Sequence, residues 1–187
     1  KQYFPKNGWV EHNPNEIWQT TLKSLKRVIK KAKELNGKIL SIGITNQRET
    51  TILWNKNTGK PVYNAIVWQD RRTYSICQNL KKRKLENLFR KKTGLLIDAY
   101  FSATKIKWIL NNISSAKKLL KNHQLMFGTI DTFLIWRLTN KRSHLTDATN
   151  ASRTLMYNIN SNKWDDEILK KIGIPKSILP EVKNLSL

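Results

Sequence analysis

Apolar residues recur at helical spacing early in the chain. Trp18, Leu22, Leu25, Ile29 and Ala32 fall at i, i+4, i+7, i+11 and i+14, with Lys23, Arg27, Lys30 and Lys31 mostly off the stripe. A start signal precedes them. Asn13 offers a capping oxygen, Pro14 suits the first helical position, and Glu16 stands where a capping box wants an acceptor. Gly37 marks the end of this helix. The pattern then becomes strand-like. Residues 39–45, 50–54 and 64–68 read as three strands, with Ile42, Ile44, Ile52 and Leu53 as buried positions. Residues 55–61, which contain two Asn, Thr58-Gly59 and Pro61, form the turn between the last two.

Residues 72–92 read as mostly helical, with Ile76, Leu80, Leu85, Leu88 and Phe89 on the packing side. After Gly94 come short helices at 105–112 and 114–122, then a strand at 125–128. An apolar helix follows at 132–138, with Phe133, Leu134, Trp136 and Leu138 inward. Residues 146–152 are polar and loop-like, and a last helix at 165–172 is stopped by Gly173 and Pro175. There is no internal repeat and no low-complexity linker. Alternating strands and helices predict an α/β domain.

Composition changes this picture little. The chain of 187 residues, 39% hydrophobic, is long enough for one domain with a real core. No apolar run approaches the ~20 residues of a membrane span, and no signal-peptide pattern opens the chain. The single cysteine, Cys77, excludes an internal disulfide and fits a reducing cytoplasm; it reads as a buried helix residue rather than a reactive thiol. The net charge of +22 raises nucleic acid or an anionic surface as partner. The lysines are spread along the chain, however, and Lys, Asn and Ile share A/T-rich codons. The largest clusters, residues 81–84 and 90–92, fall on one predicted helix. With no zinc-finger spacing or RNP-type aromatic motif, the expectation is no nucleic-acid partner. Lys1 in place of Met, and a tail over residues 178–185 without a clear terminus, suggest a piece of a longer protein.

The candidate chemistry lies where the first two predicted strands meet, in Asn46-Gln47-Arg48-Glu49-Thr50-Thr51. A charged pair beside buried strand residues must be matched or it costs desolvation. Arg48 supplies a planar fork of donors and Glu49 supplies acceptors. Together they suit a small neutral ligand with several hydroxyl groups, since each hydroxyl donates and accepts. An internal Arg48–Glu49 salt bridge that only holds the fold is the other reading. Other chemistries lack their signatures: there is no G-x-x-x-x-G-K-[ST] loop and no G-x-G-x-x-G. No nucleophile motif appears. His12, His123 and His144 lack metal-ligand spacing and read as surface or capping residues.

The segments 43–51, 64–73, Tyr100-Phe101-Ser102-Ala103-Thr104-Lys105 with the residues up to 112, 8–14, 128–132 and 149–154 together resemble the glycerol kinases of the FGGY carbohydrate kinase family. The likeness runs over essentially the whole chain. It implies an α/β fold that is part of an actin-like, ribonuclease H-like ATPase domain, a mixed sheet with flanking helices. The chain, 1–187, would then be part of the N-terminal domain, without its first phosphate-binding hairpin and without the C-terminal nucleotide-binding domain. The resemblance implies ATP-dependent phosphorylation of glycerol to sn-glycerol 3-phosphate, with Arg48 and Glu49 bonding glycerol hydroxyls, Trp68 against its carbon backbone and Tyr100 on a further hydroxyl. It also implies ATP and Mg²⁺ as cofactors, a cytoplasmic location and a homo-oligomer. The catalytic Asp of the family's Gly-Asp-Gln block would lie beyond Leu187, so no catalytic, cofactor or metal residue is assigned within the chain, and the chain alone is expected to be inactive. Asp70, though the nearest acid, is not read as the base, and Asp131 is read as a structural hydrogen-bonding residue. A truncated domain of this kind would expose sheet edges and core surface. An FGGY kinase for another polyol or sugar such as xylulose, a decayed gene product, and a basic binding module remain as alternatives.

Overall fold

The computed structural model describes residues 1–183. The tail over 178–185 is therefore covered as far as Lys183, and its last two residues lie outside the described residues. In chain order the elements are β1 (Gln2–Tyr3), β2 (Glu11–His12), α1 (Pro14–Glu34), β3 (Ile52–Asn55), β4 (Ala65–Ile66), α2 (Tyr74–Lys82), α3 (Glu86–Thr93), α4 (Ser102–Asn112) and α5 (Ser114–Lys121). They continue with β5 (Leu125–Gly128), α6 (Ile130–Leu138), β6 (Leu145–Asp147), α7 (Ala148–Ala151), β7 (Tyr157–Asn158), β8 (Lys163–Trp164), α8 (Asp166–Ile172) and β9 (Glu181–Lys183).

The central antiparallel pair is β3–β5, in register from Ile52 opposite Gly128 to Asn55 opposite Leu125. A bridge between Thr51 and Ile66 ties it to β4, which continues through β2 to β1. Alternation along β3 separates two cores. Leu53 joins Ile66 and Phe127 in a large cluster with residues of α2, α3, α4 and α8. Ile52 and Trp54 face the other way and pack with Phe133, Leu134 and Trp136 of α6, and with Ile17 and Trp18 of α1. Helices thus cover both faces of the pair, as the α/β reading requires. The β6–β9 pair is parallel, and β7–β8 is antiparallel.

Helix α1 starts as its sequence dictates, with Asn13 Oδ1 accepting from the Asn15 N–H at 2.9 Å. It ends at Glu34, and Asn36, not Gly37, takes the left-handed conformation, at φ 53°. The stripe from Trp18 to Ala32 is half-buried at every position, and within the helix only Pro14 is fully buried.

Several expectations are corrected. Residues 39–45 form no strand. A strand needs a neighbour to take its N–H and C=O groups, and among the described residues none lies alongside. Ile42 is consequently exposed and Ile44 only half-buried, packed against the second core, whereas Ile52 and Leu53 are buried as read. Residues 146–152 are not a loop. Leu145-Thr146-Asp147 pairs with β9, and the Asp147 side chain caps α7 by accepting from the Asn150 N–H at 2.9 Å. The 72–92 helix breaks in two at Lys84, left-handed at φ 57°, so the 81–84 cluster straddles the end of α2 while residues 90–92 lie on α3. His144 is neither a surface nor a capping residue. It lies edge-on to Trp54 with Nε2 2.7 Å from the Phe127 carbonyl, and burial pushes its pKa down. His12 is half-buried on β2, while His123 is exposed and left-handed just after α5. Cys77 is buried on α2.

Candidate functional site

Glu49 stands at a tight turn with φ 63°, a conformation that costs a non-glycine residue about 1–2 kcal/mol. The surroundings hold it there. Its carbonyl accepts from Thr51 Oγ1 at 3.1 Å, Ser102 Oγ at 3.1 Å and Lys105 Nζ at 3.4 Å. Its carboxylate is buried, and Oε1 accepts from Arg153 Nε at 2.7 Å. Backbone strain at a polar residue, stabilised from several sides, is the kind of feature that collects at functional sites.

Trp68 and Tyr100 arrive from two loops joined by one ion pair. Arg71, just after Trp68, reaches Asp98 in bidentate fashion, at 2.8 and 3.4 Å. Asp98 Oδ1 also accepts from the Tyr100 N–H at 2.8 Å. Burial pushes the Asp98 carboxyl up, but the Tyr100 N–H and the Arg71 guanidinium outweigh it and hold the group below its ordinary value. The result is a pair of half-buried aromatic rings, Trp68 and Tyr100, with centroids 5.2 Å apart. The Arg153 guanidinium lies 5.5 Å from the Tyr100 centroid and 5.0 Å from that of Phe101. Arg153 therefore links the Glu49 carboxylate to the aromatic wall.

Arg48 departs from the expected pair. It is exposed, and among the described residues Glu49 pairs with Arg153, not with Arg48. The Thr50 N–H donates to the Arg48 carbonyl at 2.7 Å, closing a tight turn on which Arg48 is exposed and Glu49 is buried. The internal Arg48–Glu49 salt bridge is thus ruled out. Glu49, Trp68 and Tyr100 come together, and Arg48 flanks them at the surface.

Asp70 and Asp131 are both engaged in internal hydrogen bonds. Asp70 is fully buried and takes four donors: the Val10 and Arg72 backbone N–H groups at 2.6 and 2.9 Å, and Arg72 Nε and Nη2 at 2.9 and 2.8 Å. Such a carboxylate has no oxygen left for a ligand proton. Asp131 accepts from Asn46 Nδ2 at 3.0 Å, from Thr146 Oγ1 at 2.8 Å and from Thr129 Oγ1, and burial pushes its pKa up. Three residues at the site carry no role in the sequence reading: Arg153, Ser102 and Lys105. Lys105 is wholly buried, and burial pushes its pKa down to about 7 against the pull of Asp70, Glu49 and Asp98. Ser102 and Lys105 lie in the block that opens at Tyr100, and Arg153 in the block 149–154, but no local pattern ties them to Glu49.

Chemically the arrangement offers a buried acceptor, an exposed cationic fork and an apolar aromatic face. That set suits a small polyhydroxylated molecule. Among the described residues no group of three or more His, Cys, Asp or Glu is placed to hold a metal ion, and no helix is long and apolar enough to cross a membrane.

The sequence pattern of the FGGY family of carbohydrate kinases, N-terminal domain, matches residues 1–186. The chain is 58% identical over 183 residues to a glycerol kinase of Geobacillus sp., a match covering 98% of this chain and 37% of the relative. It thus spans about 37% of the length of the curated relatives it matches. Among solved structures, glycerol kinase of Plasmodium falciparum with ADP superposes with a TM-score of 0.94 at 41% identity, over 98% of this chain and 37% of that one. A ligand-bound xylulose kinase from Lactobacillus acidophilus superposes with a TM-score of 0.81 at 27% identity, over 98% of this chain and 35% of that one.

Proposed function

Since the chain belongs to the FGGY family of carbohydrate kinases, we propose that the protein carrying it phosphorylates glycerol at the expense of ATP, giving sn-glycerol 3-phosphate. The observation that carries this reading is the chain of contacts from the Glu49 carboxylate through Arg153 to the Tyr100 ring and from it to Trp68, with the exposed Arg48 next to Glu49 in sequence. Glu49 accepts from one hydroxyl and Arg48 donates to another. The Tyr100 hydroxyl serves a third, and Trp68 covers the C–H face. A site built from such groups rejects analogues that lack a hydroxyl, because its polar atoms would be left unpaired. The identity to glycerol kinases, against the lower identity to the xylulose kinase, supports glycerol over a sugar.

ATP would supply the phosphoryl group and Mg²⁺ would neutralise its charge. The ADP named with the Plasmodium structure supports nucleotide use. We assign no residue of this chain to either group, and no base within it, since Asp70 is saturated and Asp131 is engaged by threonines. The reading extends to a cytoplasmic homo-oligomer. The test is ADP release by the full-length protein with glycerol, xylulose and gluconate. Glycerol should give the highest kcat/KM. Arg48→Ala should raise the KM for glycerol about tenfold or more with a smaller change in kcat, as expected for loss of a binding contact. Preference for a sugar would overturn the substrate, and an unchanged KM would remove Arg48 from the site.

A further inference from the structure

Lys105 is the one lysine among the described residues with no exposed surface at all. Its ammonium makes no ion pair there. It donates instead to two backbone carbonyls, those of Tyr100 and, at 3.4 Å, Glu49. These belong to two of the residues proposed to grip the polyol, and they come from segments about fifty positions apart. Ser102, one turn earlier on the same face of α4, donates to the same Glu49 carbonyl at 3.1 Å. A buried ammonium is costly to desolvate, and an apolar side chain of the same length would fill this slot at less cost. Stability therefore does not account for an amine here. Its geometry does: it is a bracket between the strained backbone of Glu49 and the loop that carries Tyr100.

We propose that Lys105 is a positioning residue of the polyol site, locking Glu49 in its left-handed turn and fixing Tyr100 beside it so that carboxylate and ring meet the ligand as one surface. This deepens the glycerol reading above and rests on it.

The test compares the full-length protein with its Lys105→Met and Ser102→Ala variants. Lys105→Met should leave the melting temperature at pH 7 unchanged or higher, yet raise the KM for glycerol about tenfold with a smaller change in kcat; Ser102→Ala should raise it in the same sense, about threefold. A lysine with a merely structural role would lower the melting temperature and leave KM alone. A Lys105→Met KM within about twofold of wild type overturns the proposal. If Lys105→Met does not fold, Ser102→Ala decides: a raised KM supports the bracket and an unchanged one overturns it. If the wild-type protein turns over another polyol in place of glycerol, the glycerol reading fails, and the same comparison on that polyol still judges Lys105. If it turns over none, both fall.

Discussion

A lysine held in the interior loads the fold with a titration. In the unfolded chain its amine is protonated up to about pH 10.4, whereas in the folded protein burial brings its pKa to about 7. Between those values the unfolded state binds the extra proton, so stability rises with pH across the window. Below pH 7 both states are protonated and the full penalty is present. The charged or titratable groups around it are Asp70, Glu49 and Asp98, with the Cys77 thiol, itself pushed up by burial. The melting temperature should therefore climb from pH 7 towards pH 10, and part of that climb should vanish in Lys105→Met. The difference between the two proteins, rather than either curve, is the readout, since shedding surface positive charge stabilises both. Parallel curves would show that the amine binds its proton equally in the folded and unfolded states across this window, and so is not shifted by burial. None of this was visible in the sequence. Glu49 stood out because it adjoins Arg48 in an apolar setting, yet that adjacency also suggested an internal pair that the fold does not make. Arg153 did not stand out, because its partner Glu49 stands 104 positions away and only the folded chain joins them.

At the scale of elements, the junctions that hold the site are tightly built. The turn after Trp68 is anchored by Asp70 and Arg72. The Arg72 guanidinium also bonds Glu11 at 2.7 Å and lies 3.7 Å from the Trp9 ring centroid and 4.8 Å from that of Trp108. Where β5 passes into α6, Gly128 leaves no room for a side chain. A Cβ there would meet Thr132 Cβ at 2.6 Å and Cγ2 at 2.7 Å. Gly128→Ala should accordingly destabilise the fold by about 1–3 kcal/mol through overpacking. A denaturant midpoint lowered at constant m-value would bear this out, and an unchanged midpoint would not. The elements most legible in the sequence were those with their own local signals. Helix α1 announced itself through Asn13 and Pro14, α8 through Asp165 and Gly173, and β5 through its apolar run between turns. Residues 39–45 misled because a strand is a relation between two segments, and an apolar segment cannot supply its own partner. Residues 146–152 misled in the opposite sense: a polar run found a partner in β9 and a cap in Asp147.

For the molecule as a whole, two features pull against each other. Apolar side chains lie open along one region: Leu25, Ile29 and Ala32 of α1 are only half-buried, Ile39 and Ile42 beside them are exposed, and Leu40, between these two in sequence, is exposed to 82%. Contiguous apolar surface of this kind favours association. Opposing it is a net charge of +22 from 35 basic and 13 acidic residues, which makes like molecules repel. Salt distinguishes the two forces. Raising it from about 20 mM to about 0.5 M shortens the screening length from roughly 20 Å to a few ångströms. Repulsion then fades while apolar contact does not. Light scattering from the 187-residue chain should thus report self-association that strengthens with salt, and Leu40→Ser with Ile42→Ser should suppress it. Ion-driven association with a polyanion has the opposite signature, weakening steeply as salt rises. Self-association that falls with salt, or that survives both substitutions, would mean that the open apolar region around Leu40 is not what brings copies together.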